Sequence, residues 1–165
     1  MRVLIISDTH RNHTLLPAIL DNEGPFDMLI HCGDLEGEEE IIFNMTGPEC
    51  ACIMVPGNND FFSVLPKERA FNIEGFNIWV THGHNYYVSM DLSVLKDEAK
   101  ARGMHIAMFG HTHKPVVEYM DGVYLVNPGS LTYPRQSGRQ PSYIIMNVKE
   151  GFEPEFDIRF INRNI

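Results

Sequence analysis

Arg2-Val3-Leu4-Ile5-Ile6-Ser7-Asp8-Thr9-His10 is an apolar, β-branched run that breaks without a linker into a carboxylate and an imidazole. Residues 2–7 have strand length, and residues 13–22 follow with Leu15, Leu16, Ile19 and Leu20 at helical spacing. Residues 27–31 read as a second buried strand. Residues 38–45 read as a short helix whose acidic first turn suits the positive end of the helix dipole. A third strand, 51–55, stops at Pro56-Gly57. This strand–helix–strand–helix–strand order predicts parallel strands with right-handed crossovers. The carboxyl ends of such strands form the ligand crevice, so whatever follows strands one to three should converge there.

The second half has a different rhythm. Residues 69–73 and 76–81 flank Glu74-Gly75, a hairpin signal. A helix over 89–102 ends at Gly103, a suitable C-cap. A buried strand over 105–109 runs into Gly110-His111, and 116–120 with 123–126 bracket Asp121-Gly122, a strong hairpin turn. Alternating strands over 142–148 and 156–161 complete the chain. The expected fold class is α/β: a sandwich of two mixed β-sheets flanked by α-helices, in one domain over 1–165, with the loops gathered along one rim.

Five islands interrupt the apolar runs: Asp8-Thr9-His10, Gly33-Asp34, Gly57-Asn58-Asn59-Asp60, His82-Gly83-His84 and Gly110-His111-Thr112-His113. An Asp-x-His step at a strand end puts two donors on one side of a turning backbone. Asp34 has two oxygens and can bridge two cations, which in two-metal sites lie about 3.5–4 Å apart. Asn58 offers a carbonyl oxygen without adding charge, and His111 and His113 can each face a different metal. Together the islands supply ligands for two divalent metal ions. An Asp, His and Asn donor set favours manganese, with nickel, cobalt, iron or zinc as alternatives, over copper(I) or an iron–sulfur cluster.

Charge and composition narrow the chemistry further. The 165 residues carry a net charge of −9, which argues against a long nucleic acid or an anionic membrane as partner. It does not exclude a phosphate substrate, because bound cations reverse the sign of an acidic pocket. No apolar run approaches the ~20 residues of a membrane span. Cys32, Cys50 and Cys52 read as reduced core residues, and cytoplasm is the expected compartment. His31, closing a buried strand, reads as a hydrogen-bonded core or supporting histidine; His13 and His105 read as surface or cap residues. The acidic stretch from Glu36 to Glu40 reads as a solvent-facing helix N-terminus.

The order of these motifs resembles the calcineurin-like metallophosphoesterase superfamily, and within it the small prokaryotic phosphodiesterases. The likeness spans residues 3 to about 135 and includes Asn127-Pro128-Gly129-Ser130 and Pro134-Arg135. It implies that Asp8, His10, Asp34 and His113 hold one metal, and that Asp34, Asn58, His82 and His111 hold the other. It favours His82 over His84 as ligand, and gives Arg135, Asn58 and Asn59 to the substrate. The implied reaction is in-line hydrolysis of a small phosphodiester or nucleotide-like substrate by a metal-bridging hydroxide. An oligomer is compatible with it. The resemblance leaves two rivals: a phosphomonoesterase of the same superfamily, and a non-catalytic scaffold like the retromer subunit Vps29, whose kind tends to lose the imidazoles present here.

One position departs from the pattern. Asn59 stands where many members carry histidine, and an amide cannot act as a general acid at neutral pH. Either His84 protonates the leaving group, or the enzyme depends on leaving groups that need no proton; the second reading is preferred. Asp60 is expected to orient the loop or an imidazole rather than to bind metal.

Overall fold

The computed structural model describes residues 1–162. Its first half is β1 (Arg2–Ile6), α1 (Leu16–Glu23), β2 (Met28–His31), α2 (Glu39–Thr46) and β3 (Ala51–Met54). There follow β4 (Glu68–Ile73), β5 (Phe76–Thr81), α3 (Ser93–Ala101), β6 (Ile106–Met108), β7 (Pro115–Met120), β8 (Val123–Pro128), β9 (Ser142–Asn147) and β10 (Glu155–Phe160). They form two five-stranded sheets, ordered β10-β9-β1-β2-β3 and β4-β5-β6-β8-β7. Strands β1, β2 and β3 are parallel as the pattern predicts, while β9 runs antiparallel to β1.

The strand β1 explains why its sequence is apolar without alternation. Val3 and Ile5 point between the sheets, against Ile30, Ile144, Val80, Met108 and Val126. Leu4 and Ile6 point the other way and pack with Leu29 against Leu16 and Ile19 of α1 and Ile42 of α2. The outer face of the second sheet, through Trp79, Ala107 and Leu125, packs on Leu95 and Ala99 of α3. Layers therefore run helices, sheet, sheet, helix. Each fully buried aliphatic side chain contributes about 1.5–3 kcal/mol, so the rim loops hang from rigid strands.

Two helices start later than their patterns predict, and side chains account for both. The carboxamide of Asn12 accepts from Thr14 N (3.2 Å) and Thr14 Oγ1 (2.7 Å), a local turn that competes with helix. The helix α1 then begins at Leu16, with Pro17 in its first turn, where no amide donor is needed. Likewise Asp91 Oδ1 accepts from Ser93 N at 2.8 Å, so α3 begins at Ser93 rather than at 89. Among the described residues no helix is long and apolar enough to cross a membrane.

Candidate metal centre

The loops after β1, β2, β3, β5 and β6 meet on one rim, stitched to one another by backbone. Asp8 N donates to Gly33 O and His10 N to Asp34 O, both at 3.0 Å, and Gly110 N donates to His82 O at 3.1 Å. Ser130 Oγ donates to the Asp8 carbonyl at 2.8 Å, drawing in the segment after β8. Asp8, His10, Asp34, His111 and His113 all have left-handed backbone, with φ of 54°, 45°, 59°, 67° and 58°. Each such residue costs about 1–2 kcal/mol, and strain of this kind gathers at functional sites. Two glycines let main chain press against the carboxylates. A Cβ on Gly57 would lie 2.1 Å from Asp34 Oδ1, and one on Gly110 would lie 2.7 Å from Asp8 Oδ2.

Asp8, His10, Asp34 and His113 each present one donor atom, all within 4.8 Å of one another. Two of the imidazoles are oriented by fixed acceptors. Nδ1 of His113 donates to the Tyr133 carbonyl at 2.7 Å, and Nδ1 of His10 to the Glu36 carboxylate at 2.7 Å. In the neutral rings this leaves both Nε2 lone pairs facing each other at 3.3 Å. Asp8 Oδ1 is buried with no hydrogen-bond donor, although Nε2 of His113 lies 3.0 Å away. Two nitrogens and a carboxylate oxygen converging this closely need a proton or a metal cation among them, and the donor set fits a divalent metal.

A second set adjoins it. Nδ1 of His82 donates to the Cys32 carbonyl at 2.7 Å, turning Nε2 toward Asp34 Oδ2 at 3.5 Å and Asn58 Oδ1 at 3.2 Å. Nδ1 of His111 approaches the same Asn58 oxygen at 2.9 Å. Asp34 lies between the sets, since its Oδ2 is also 3.7 Å from His10 Nε2.

The electrostatics follow from this crowding. Burial alone would raise the Asp8 carboxyl, but His113 and His82 outweigh it and hold it below the ordinary range. Burial likewise opposes ionisation of Asp34, yet His82 and the two Asn59 N–H groups hold it far below its usual value. Burial would lower His82, and Asp34 and Asp8 reverse that and raise it. His111 and His84 are lowered, by burial and by the neighbouring His82.

The remaining sequence candidates fall into place unevenly. Asp60 accepts from Gly57 N (2.7 Å), Leu35 N (3.2 Å) and Glu36 N, clamping two loops together. Asn59 turns inward: its backbone N and Nδ2 donate to Asp34 Oδ1 and Oδ2 at 2.9 and 2.7 Å. The ring of His84 stands 5.4 Å from that of His82 and 6.1 Å from that of His111, with its buried Nδ1 unpartnered. Arg135 is exposed at the rim, and its backbone N donates to the His113 carbonyl at 3.0 Å. His31 is fully buried between Thr9 Oγ1 at 3.1 Å and Gly33 N at 3.2 Å. Burial there pulls it down to about 4, so it stays neutral.

The acidic stretch from Glu36 to Glu40 is the clearest departure from the sequence reading. Glu36 holds His10, and Glu38 is buried and holds Nδ1 of His13 at 2.8 Å. Neither residue is simple solvent-facing charge, and His13 is half-buried in that pair rather than a helix cap. Sequence spacing gives no sign of these partners; the only hint is that Glu36 follows Asp34 by two residues.

Residues 1–151 match the family model described as the calcineurin-like phosphoesterase superfamily domain. A probable metallophosphoesterase of Methanocaldococcus jannaschii is 34% identical over 138 residues, covering 82% of this chain and 70% of its own length. A phosphodiesterase of the same organism is 29% identical over 145 residues, 78% of this chain and 83% of that protein. Among solved structures, wild-type Vps29 of Entamoeba histolytica complexed with zinc gives a TM-score of 0.77 at 22% identity, over 98% of this chain and 100% of that one. At that identity the likeness is one of fold.

Proposed function

This chain belongs to the calcineurin-like phosphoesterase superfamily, and on that premise we propose that it is a phosphodiesterase working with two divalent cations on a small phosphodiester. The observation that carries this reading is the orientation of three imidazoles. His10, His82 and His113 each spend Nδ1 on an acceptor outside the site and turn Nε2 toward Asp8 and Asp34. Ligand histidines are commonly oriented in this way by outer partners.

Asp8, His10, Asp34 and His113 would hold one cation; Asp34, Asn58, His82 and His111 would hold the other. Manganese suits this donor set, as do nickel, cobalt, iron and zinc. When bound, two such cations act as Lewis acids on phosphate oxygens and activate water at neutral pH. The chain's own groups do the positioning. Asn59 fixes both oxygens of Asp34, Asp60 locks the loop that presents Asn58 and Asn59, and Arg135 offers a cation at the rim. His84 packs its ring 5.4 Å from that of His82, beside the donor set. The choice of a diester is supported by the relative that bears that name.

Stripping the metals and reconstituting with manganese, nickel, cobalt, zinc or magnesium tests this, with bound metal counted alongside turnover. Bis-p-nitrophenyl phosphate should be turned over faster than p-nitrophenyl phosphate. The reverse order would make the chain a monoesterase, and two bound metals without turnover of either would favour a binding scaffold.

A further inference from the structure

Directly after Asp60 come Phe61, Phe62, Ser63 and Val64, and the three apolar side chains are 82%, 98% and 99% exposed. Single apolar residues on a surface need no explanation, but a contiguous cluster of this exposure marks a binding surface. These residues line a groove of about 550 Å³ together with Arg11, Glu36 and Asn59. That volume lies in the range of small-ligand sites.

Two of the lining residues are tied to the metal-binding loops. Asn59 donates to Asp34 at 2.9 and 2.7 Å. Glu36 holds Nδ1 of His10 at 2.7 Å. The groove therefore abuts side chains that touch Asp34 and His10, within reach of a substrate's ester arm. Charge decides which kind of arm. Four carboxylates, Glu36, Glu39, Glu40 and Asp60, line the groove with a single cation, Arg11, which already lies 3.5 Å from Glu36. A second phosphate would be repelled there, whereas an uncharged ring would bury apolar surface against Phe61 and Phe62.

We propose that this groove is the subsite for an uncharged aromatic arm of the substrate, an aryl or nucleoside ester group, seated against Phe61 and Phe62. The assignment rests on the phosphodiesterase reading above and names the class of diester it prefers. Its test is calorimetric titration of manganese-loaded protein with phenylphosphonate and with methylphosphonate. The wild type should bind the phenyl compound about tenfold more tightly, the scale of one to two aromatic contacts. The F61A/F62A variant should lose that preference while keeping its metal content and its affinity for methylphosphonate. Both side chains are exposed, so the variant should fold, and F62A alone should show a partial loss.

Equal affinities in the wild type overturn the subsite and leave the metal chemistry standing. Binding of neither phosphonate overturns both readings. A dimer in sedimentation that F61A/F62A dissolves, with phenyl preference intact, overturns the subsite and makes the patch a self-association face.

Discussion

Asp34→Asn separates a shared ligand from an ordinary one, because the amide keeps the shape and loses the charge. Asp34 Oδ2 lies 3.7 Å from His10 Nε2 and 3.5 Å from His82 Nε2, so the substitution reaches both donor sets at once. Disturbing a residue that merely orients a ligand typically costs 10–100-fold in metal affinity. Removing a charged ligand from both sites should exceed about 100-fold at each, which is more than about 2.7 kcal/mol per site. The apo protein also loses stability, because Asn59 N and Nδ2 donate to this carboxylate. Hydrogen bonds to charged groups contribute about 1.5–3 kcal/mol each, partly offset here by relief of burying a charge. The assay is metal content after dialysis against micromolar manganese, with His111→Ala as comparison. Asp34→Asn should fall from two metals to none and His111→Ala from two to one. An Asp34→Asn protein that keeps two metals, or loses only one, refutes the bridging role.

Four further outcomes follow from the same geometry. His82 is raised by Asp34 and Asp8, so in the metal-free protein it holds a second proton that a cation must displace. Metal affinity should therefore climb with pH through that raised value and then level off; an affinity flat from about pH 6 to 9 counts against His82 as a ligand. In the metal-free protein the sign for Asp34 is opposite. Its lowered carboxyl stabilises the fold above the ordinary carboxylate pKa, and this is lost as pH falls through the depressed value. The gap in Tm between wild type and Asp34→Asn should thus close on acidification. Glu36→Gln should weaken manganese binding by about 10–100-fold because it orients His10, while Glu38→Gln, which holds His13, should not; equal effects would make both merely structural. Gly57→Ala should lower metal content and Tm together, since its Cβ would sit 2.1 Å from Asp34 Oδ1 and 2.5 Å from Asp34 N; full metal content at unchanged Tm would show that the loop gives way.

What could be read in advance was whatever leaves a periodic or compositional trace. The run from Val3 to Ile6 is apolar throughout because both faces of β1 are buried, and that alone implies layers on either side of the first sheet. The breaks in such runs mark strand ends, and so they located the loops bearing Asp8, Asp34, Asn58, His82 and His111. Hydrogen-bond partners across loops leave no such trace. Glu36 and Glu38 look like one acidic helix start, yet they serve two different histidines. The starts of α1 and α3 shifted for a similar reason, because single side chains, Asn12 and Asp91, captured backbone that the apolar spacing had assigned to helix.

The same limit bears on Asn59. By residue type it is a missing proton donor, and from sequence its amide was free to meet the phosphate. In the fold that amide is spent on Asp34 Oδ2 at 2.7 Å, with the backbone N on the other oxygen at 2.9 Å. The departure from the family pattern therefore acts first on Asp34, the carboxylate proposed to be shared by two cations, and only through it on the leaving group. Asn59→Ala removes the side-chain bond and keeps the backbone one. Its effect should appear as weaker metal binding, with the relative rates of aryl diesters that differ in leaving-group acidity unchanged. If those relative rates shift while metal content holds, Asn59 acts on the ester directly and the positioning role is wrong.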